Sequence, residues 1–344
     1  MATISGTTGN DNLVGTAGND IFLGSFGTDA VDGGTGYDIL RFEDLPSSYF
    51  YSGYTYTNGL PTLDELGRLE TPTSVDVTTF RNLERIELLD AAVNLSGASI
   101  AAQVNNLYLG LLNREADLPG LSFWSHWADD MGISSVATAL LNSSEFVGGQ
   151  GPADTARLIT QLYEGVLGRT PVGEETAFWN GVAQQEGLSA VAVGIAASTE
   201  AAADPLGLAR AGLPTVDLDG TWIGFSFASL LGRQADLDGF RFYLNLMHTG
   251  LDEQGVVTAV VNSQEFQQRT TQLDNAAYVD VLYQDVLHRD ASAIERDWHV
   301  AALEAGAGRD RVAFGFLDSD EAGPYRDAQI YTGNVALPSD FHLA

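Results

Sequence analysis

The sequence predicts an α+β multidomain chain: a short N-terminal parallel β-roll with a small β extension, then an all-α helical repeat domain built as a duplicated two-repeat module. Three observations predict it. Glycine, aspartate and apolar residues recur every nine positions near the N-terminus, apolar and polar residues alternate after that, and from about Ser99 apolar residues recur at helical spacing. The segments implied are 1–44 (roll), 45–98 (β extension), 99–203 (helical repeats 1 and 2), 204–220 (linker), 221–323 (helical repeats 3 and 4) and 324–344 (tail).

The roll comes first. Gly6-Thr-Thr-Gly-Asn-Asp-Asn-Leu-Val14 is followed without a slip by nonapeptides starting at Gly15, Gly24 and Gly33. Glycine also stands at 9, 18, 27 and 36, aspartate at 11, 20, 29 and 38, and an apolar residue at 13, 22, 31 and 40. The glycines permit turns at positive φ and let carbonyls face inward. The aspartate adds a hard anionic oxygen of the kind calcium prefers. Leu13, Phe22, Val31 and Leu40 fall on short strands and fill a thin solenoid core.

This pattern resembles the GGxGxDxUx calcium-binding repeats of RTX-type secreted proteins. The resemblance implies that alternate turns stack, so that Asp11 shares one Ca2+ with Asp29 and Asp20 shares another with Asp38. It further implies that the carbonyls of Gly6, Thr8, Ser25 and Gly27 complete the first site, and those of Gly15, Ala17, Gly34 and Gly36 the second. One departure stands out: only the fourth repeat keeps glycine at its second position, where the others have Thr7, Thr16 and Ser25. That departure weakens the expected sites only insofar as more than backbone oxygens is asked of these positions.

The β extension follows. Tyr49, Tyr51, Tyr54 and Tyr56 cluster around Gly53, and Asn58-Gly59 is a turn signal. Val75-Asp-Val77 and Ile86-Glu-Leu88 alternate, and Asn82-Leu-Glu-Arg-Ile86 is similar to a motif that follows the roll in RTX-type proteins. The segment reads as a small sheet extending the roll. Its tyrosines suit packing or a solvated strand better than a sugar-binding face.

The helical region carries a longer repeat. Val104, Leu107, Tyr108, Leu111 and Leu112 form one apolar stripe. It recurs at Ile159–Leu167, Ile223–Leu231 and Val279–Leu287. Two residues after each stripe stands an arginine (Arg114, Arg169, Arg233, Arg289), followed by an aromatic (Trp124, Trp179, Tyr243, Trp298) and a glutamate (Glu145, Glu200, Glu265, Glu321). These are four copies of a unit of about three helices. Repeats 1 and 3 share Ala-Asp-Leu-x-Gly (116–120 and 235–239) and Ser-x-Glu-Phe (143–146 and 263–266), so the duplicated piece is a two-repeat module. The pattern resembles a helical repeat of unknown function common in secreted and surface-layer-type bacterial proteins, and distantly the linker domains of light-harvesting antennae. That family has no agreed chemistry.

The fixed spacing predicts that each arginine, at a helix end where a cation suits the dipole, pairs with the glutamate of its own repeat. The Phe-Trp pairs at 123–124 and 178–179 read as core, and Asp117, Asp236 and Asp238 as helix-capping residues rather than a calcium loop.

Composition narrows the function. All 16 basic residues are arginines against 46 acids, a formal charge of −30, which argues against nucleic acid and anionic membranes as partners. There is no cysteine, hence no disulfide or thiolate site. No run of apolar residues is long enough for a membrane-spanning helix, and Met1–Thr8 has no signal-peptide pattern. The end, Ser339-Asp-Phe-His-Leu-Ala344, resembles the tail of uncleaved type I secretion substrates. The histidines at 126, 248, 288, 299 and 342 form no His-Glu-x-x-His motif, and no Gly-x-Ser-x-Gly elbow occurs, so no catalytic residue is assigned. The expectation is a secreted, extracellular or cell-surface, non-enzymatic scaffold or adhesive component of a bacterial surface layer, matrix or extracellular assembly. Its partners would be calcium and either further copies of itself or other surface components. The alternative is a module that attaches to bacterial polysaccharide through a groove between helical repeats, with a polysaccharide-acting enzyme third.

Overall fold

A computed structural model of the chain describes residues 1–42, 50–57, 60–71, 74–148 and 154–332. It divides into two compact units, Met1–Val216 and Asp217–Ala344.

In the first unit each nonapeptide contributes one short strand. These are β2 (Asn12–Val14), β3 (Asp20–Leu23), β4 (Asp29–Asp32) and β5 (Ile39–Arg41), preceded by β1 (Ala2–Ser5). Successive strands alternate between two sheets, so parallel neighbours are two repeats apart: Ala2 faces Asp20, Leu13 faces Val31, and Ile21 faces Ile39. Apolar side chains at one position per repeat therefore meet between the sheets, where Phe22, Val31 and Leu40 are buried.

The segment after the roll is built into the same two sheets. It forms β6 (Phe50–Thr57), β7 (Leu60–Thr71), β8 (Ser74–Arg81), β9 (Arg85–Glu87) and β10 (Ala91–Asn94). β8 pairs in parallel with β4, and β9 in parallel with β5, so each sheet gains a further rung of roll geometry. β6 and β7 are an antiparallel hairpin inserted before that rung. Leu63, Leu66, Phe80, Leu83 and Ile86 join Phe22, Val31 and Leu40 in one core, which thickens a row too thin to stand alone. The stretch at 204–220 is more than a linker: Leu213–Val216 forms β11, antiparallel to β10. Tyr49, the Asn58-Gly59 turn, the side chains of Tyr51, Tyr54 and Tyr56, and the tail Ser339–Ala344 lie outside the described residues.

Among the described residues each helical repeat has four helices, one more than the periodicity predicts: in repeats 1 to 3 a further short helix starts at Ser-x-Glu, and in repeat 4 it starts just after it. Repeat 1 comprises α1 (Ile100–Leu107) running into a π-helical turn (Tyr108–Leu112), then α2 (Leu118–Met131), α3 (Ile133–Leu141) and α4 (Ser144–Gly148). Repeat 2 comprises α5 (Thr155–Leu167), α6 (Gly173–Glu186), α7 (Leu188–Ala196) and α8 (Thr199–Ala202). The second unit repeats the order, with α9 (Leu218–Leu231), α10 (Leu237–His248), α11 (Glu253–Val261) and α12 (Gln264–Thr270) as repeat 3. Repeat 4 is α13 (Asn275–Leu287), α14 (Ala293–Glu304), α15 (Arg309–Leu317) and α16 (Gly323–Thr332). The stripes are the buried faces: Val104, Leu107, Ile159, Leu162, Val279 and Leu282 are fully enclosed. Aspartates cap many of the helices: Asp117, Asp154, Asp217, Asp236, Asp252 and Asp274 each accept a first-turn N–H. Asp117 and Asp236 are thus the capping residues expected, whereas Asp238 lies inside the first turn of α10. Repeats 1 and 2 meet closely at Gly165, where a Cβ would stand 2.6 Å from the Leu109 carbonyl oxygen.

Candidate functional site

The loops of the roll stack in two columns. In one, the Asp11 N–H donates to Asp29 Oδ1 at 3.0 Å. In the other, the Ala2 N–H donates to Asp20 Oδ1, the Asp20 N–H to Asp38 Oδ1 at 2.7 Å, and the Asp38 N–H to Glu84 Oε2 at 2.7 Å. The fold therefore brings Asp11 to Asp29 and Asp20 to Asp38, in the pairs that the RTX resemblance implies. Asp20, Asp29 and Asp38 are buried. Gly6, Thr8, Ser25 and Gly27 lie in the loops of the first column, and Gly15, Ala17, Gly34 and Gly36 in those of the second. Gly27, Gly34 and Gly36 have φ of 102°, 90° and 143°, and a Cβ on Gly34 or Gly36 would lie 2.8 Å from the Thr16 or Gly18 carbonyl oxygen. Ala17 O accepts the Thr35 hydroxyl at 3.3 Å, which occupies one of its two lone pairs.

The second position of each repeat decides how free its carboxylate is. Thr7, Thr16 and Ser25 donate their hydroxyls to Oδ2 of Asp11, Asp20 and Asp29 at 2.9, 2.8 and 2.9 Å. Gly34 has no hydroxyl to offer, and Asp38 Oδ2 is buried with no hydrogen-bond partner among the described residues. Burial pushes the Asp38 carboxyl above its usual range, with the neighbouring Asp20 charge adding to the effect. Glu84 is pushed up likewise, by burial and then by Asp38. A hard oxygen-seeking cation would satisfy the unpartnered oxygen and neutralise the stacked charges, so these residues fit Ca2+.

The helical repeats share a second construction. The residue before each arginine ends the first helix or π-helical turn in the left-handed region: Asn113, Gly168, Gly232 and His288. This turn lays the arginine back over the helix it follows. The guanidinium carbon sits over Tyr108, Tyr163, Phe227 or Tyr283 at 4.9, 4.9, 5.4 and 4.8 Å from the ring centroid. Its Nε and Nη2 fork onto the glutamate of the same repeat. Arg114 grips Glu145 (Nε–Oε1 2.7 Å), Arg169 Glu200 (2.6 Å), Arg233 Glu265 (2.9 Å) and Arg289 Glu321. In repeats 2 and 4, Glu175 and Glu295 close the other side of the guanidinium while accepting the backbone N–H of Val172 and Ser292. The four predicted pairs all form.

The aromatic position needs correction. Nine residues after each arginine stand Phe123, Phe178, Phe242 and Trp298, and ten after stand Trp124, Trp179, Tyr243 and His299. The first set is exposed, at 45, 61, 58 and 70 %, and each ring meets its successor edge-on. The second set turns inward: the Trp179 indole donates to the Tyr163 hydroxyl, and His299 packs on Tyr283. Only half of each Phe-Trp pair is core, and Trp298 is the counterpart of Phe123 rather than Trp124. Adjacent helical residues point about 100° apart, so a shift of one position separates core from surface.

Comparison with family models matches residues 5–40 to the RTX calcium-binding nonapeptide repeat, in four copies. Residues 137–204, 216–270 and 257–324 match the family described as domain of unknown function (DUF4214), and these segments together span just over half of the chain. The chain belongs to the DUF4214 family. A search of curated proteins finds no match. The roll is a calcium-binding array, and the DUF4214 region is the mostly helical part that follows it. Most of repeat 1 precedes the first matched DUF4214 segment, yet it carries the same clamp and the same exposed ring.

The DUF4214 clamps set an acid limit. The Arg169 and Arg289 guanidinium groups, aided by capping N–H groups, hold Glu175 and Glu295 at about 2. A carboxyl with a lowered folded pKa contributes stability that is complete above its unfolded value of about 4.3 and is lost as pH falls through the folded value. Helical thermal midpoints in calcium should therefore drop between about pH 4.5 and 2. Glu295→Gln, compared with the wild type by circular dichroism, should be the less stable protein at pH 6 and indistinguishable near pH 2. A difference independent of pH would contradict this.

Two carboxylates from beyond the nonapeptides bond to backbone N–H groups of the roll's loops. Glu84 extends the Asp20–Asp38 column, and Asp76 Oδ2 accepts the Gly27 N–H at 2.9 Å. Glu84 had one signal, its place in Asn82-Leu-Glu-Arg-Ile86; Asp76 had none. In the second unit His248 Nε2 lies 3.1 Å from Asp217 Oδ2 and 3.8 Å from Asp219 Oδ2. Asp217 already caps α9, whose N-terminal dipole disfavours a metal cation there.

Proposed function

We propose that the chain is a secreted, non-enzymatic scaffold or adhesive component of a bacterial surface layer, matrix or extracellular assembly, with its N-terminal roll ordered by calcium at the point of export. In this reading Asp11 and Asp29, with carbonyls of Gly6, Thr8, Ser25 and Gly27, hold one ion. Asp20 and Asp38, with Gly15, Ala17, Gly34 and Gly36, hold another. Calcium supplies the positive charge that lets buried, stacked carboxylates coexist. The observation that carries the scaffold role is the exposed ring repeated at one position in all four helical repeats: Phe123, Phe178, Phe242 and Trp298. Single exposed apolar side chains are ordinary, but one per repeat at the same place offers several equivalent weak contacts, and linked weak contacts give avidity.

Replacing these four residues by serine tests the reading. In millimolar calcium, sedimentation should find the wild type in assemblies and the quadruple variant as a monomer with an unchanged helical spectrum. Equal assembly by both would refute the role of the rings. A polysaccharide partner is the second reading, favoured by the same rings, since aromatic faces stack on sugars. It would be supported by a monomeric wild type that is retained on polysaccharide while the variant is not.

A further inference from the structure

We propose that an additional calcium ion binds between the fourth nonapeptide and the non-repeat rung that follows it, held by Asp38, the Asn82 carbonyl and Glu84. The inference rests on the calcium reading above and extends it beyond the nonapeptides.

Register places Glu84 where the next aspartate would be. β3 pairs with β5 as Ile21 to Ile39, which sets Asp20 against Asp38 one residue earlier. β5 pairs with β9 as Ile39 to Arg85, which sets Asp38 against Glu84. The backbone bond repeats with it, Asp20 N–H to Asp38 and then Asp38 N–H to Glu84, each at 2.7 Å. The loop entrance repeats as well. Gly15 N–H donates to Asp32 O at 2.8 Å, and Gly33 N–H to Arg81 O at 3.1 Å. Asn82 follows Arg81 with φ 53°, a left-handed turn that Gly33 at the corresponding place does not make.

The oxygens converge in the same way. At Gly15 the space for a Cβ is bounded by the Gly33 carbonyl and Asp20 Oδ2. At Gly33 it is bounded by the Asn82 carbonyl and Asp38 Oδ2. A Cβ in either place would collide with the carbonyl oxygen, so glycine is what lets carbonyl and carboxylate oxygens come together there. What separates the two places is occupancy by hydrogen bonds. Asp20 Oδ2 accepts from Thr16, whereas Asp38 Oδ2 is fully buried and unpartnered among the described residues. A buried carboxylate oxygen without a donor is costly, and beside a carbonyl and a second carboxylate it is the environment that calcium relieves.

Counting calcium on the intact chain tests this. Native mass spectrometry with calorimetric titration should find three ions on the wild type, and Glu84→Gln should lose one while keeping the others. Hydrogen exchange of the variant in calcium should then rise at 33–38 and 82–87 and not at 6–11. Two ions on both proteins would overturn this proposal and leave the calcium reading intact; none on the wild type would overturn both. Should Glu84→Gln fail to fold, the wild-type count still decides between three and two.

Discussion

Replacing Asp38 by asparagine is expected to raise the calcium concentration that half-orders the roll by at least ~10-fold, about 1.4 kcal/mol. Of the four repeat aspartates Asp11, Asp20, Asp29 and Asp38, Asp38 is the one whose Oδ2 has no hydrogen-bond partner among the described residues. The same change removes a buried charge that is costly without metal, so the calcium-free roll should be no less ordered than the wild type. Calcium dependence thus shrinks from both ends. Asp11→Asn, in the outermost and most exposed loop, should do less. A calcium titration followed by circular dichroism in the β region checks the order of the two effects, and equal midpoints for Asp38→Asn and the wild type would sink the assignment.

Phe240→Ala is expected to destabilise the second unit by about 3–5 kcal/mol, and Phe242→Ala by less than ~0.5 kcal/mol. The two residues sit on one helix. Phe240 is fully buried against the α9 N-terminus near Gly220, whereas Phe242 is 58 % exposed. Truncating the first leaves a cavity in a packed interior; truncating the second removes a ring that mostly faces solvent. Chemical denaturation of both variants in calcium measures the contrast. Comparable losses would mean that the exposed ring is structural and would undercut its role as a contact surface.

How much of this was legible in the sequence depended on how local the cause was. The nonapeptides were legible because each turn repeats the same covalent geometry, so Asp11, Asp20, Asp29 and Asp38 had to recur at one place in a solenoid. The arginine–glutamate pairs were legible because both partners sit at helix ends separated by a fixed run of helices. Glu84 and Asp76 were hidden by the β6–β7 hairpin, which puts 46 and 49 residues between carboxylates and their bonded partners in the roll. Strand β11 was hidden for a related reason: Leu213–Val216 has no local signal, and its pairing with Ala91–Asn94 crosses two whole helical repeats. The exposed rings were misread because composition marks an aromatic pair as apolar, while the turn of the helix decides which member faces in.

The most direct test of the account is hydrogen exchange on the intact chain with and without a calcium chelator. Calcium sites of extracellular modules commonly bind at about 10⁻⁴–10⁻³ M, and where metal binding supplies the folding energy its removal releases the fold. The account predicts that chelation strips protection from residues 6–41 and from the added rung at 74–87. Protection should persist along the buried stripes of α5 and α13, which bury Leu162 and Leu282 without help from an ion. Loss of protection spread equally over roll and helices, or none in the roll, would contradict it.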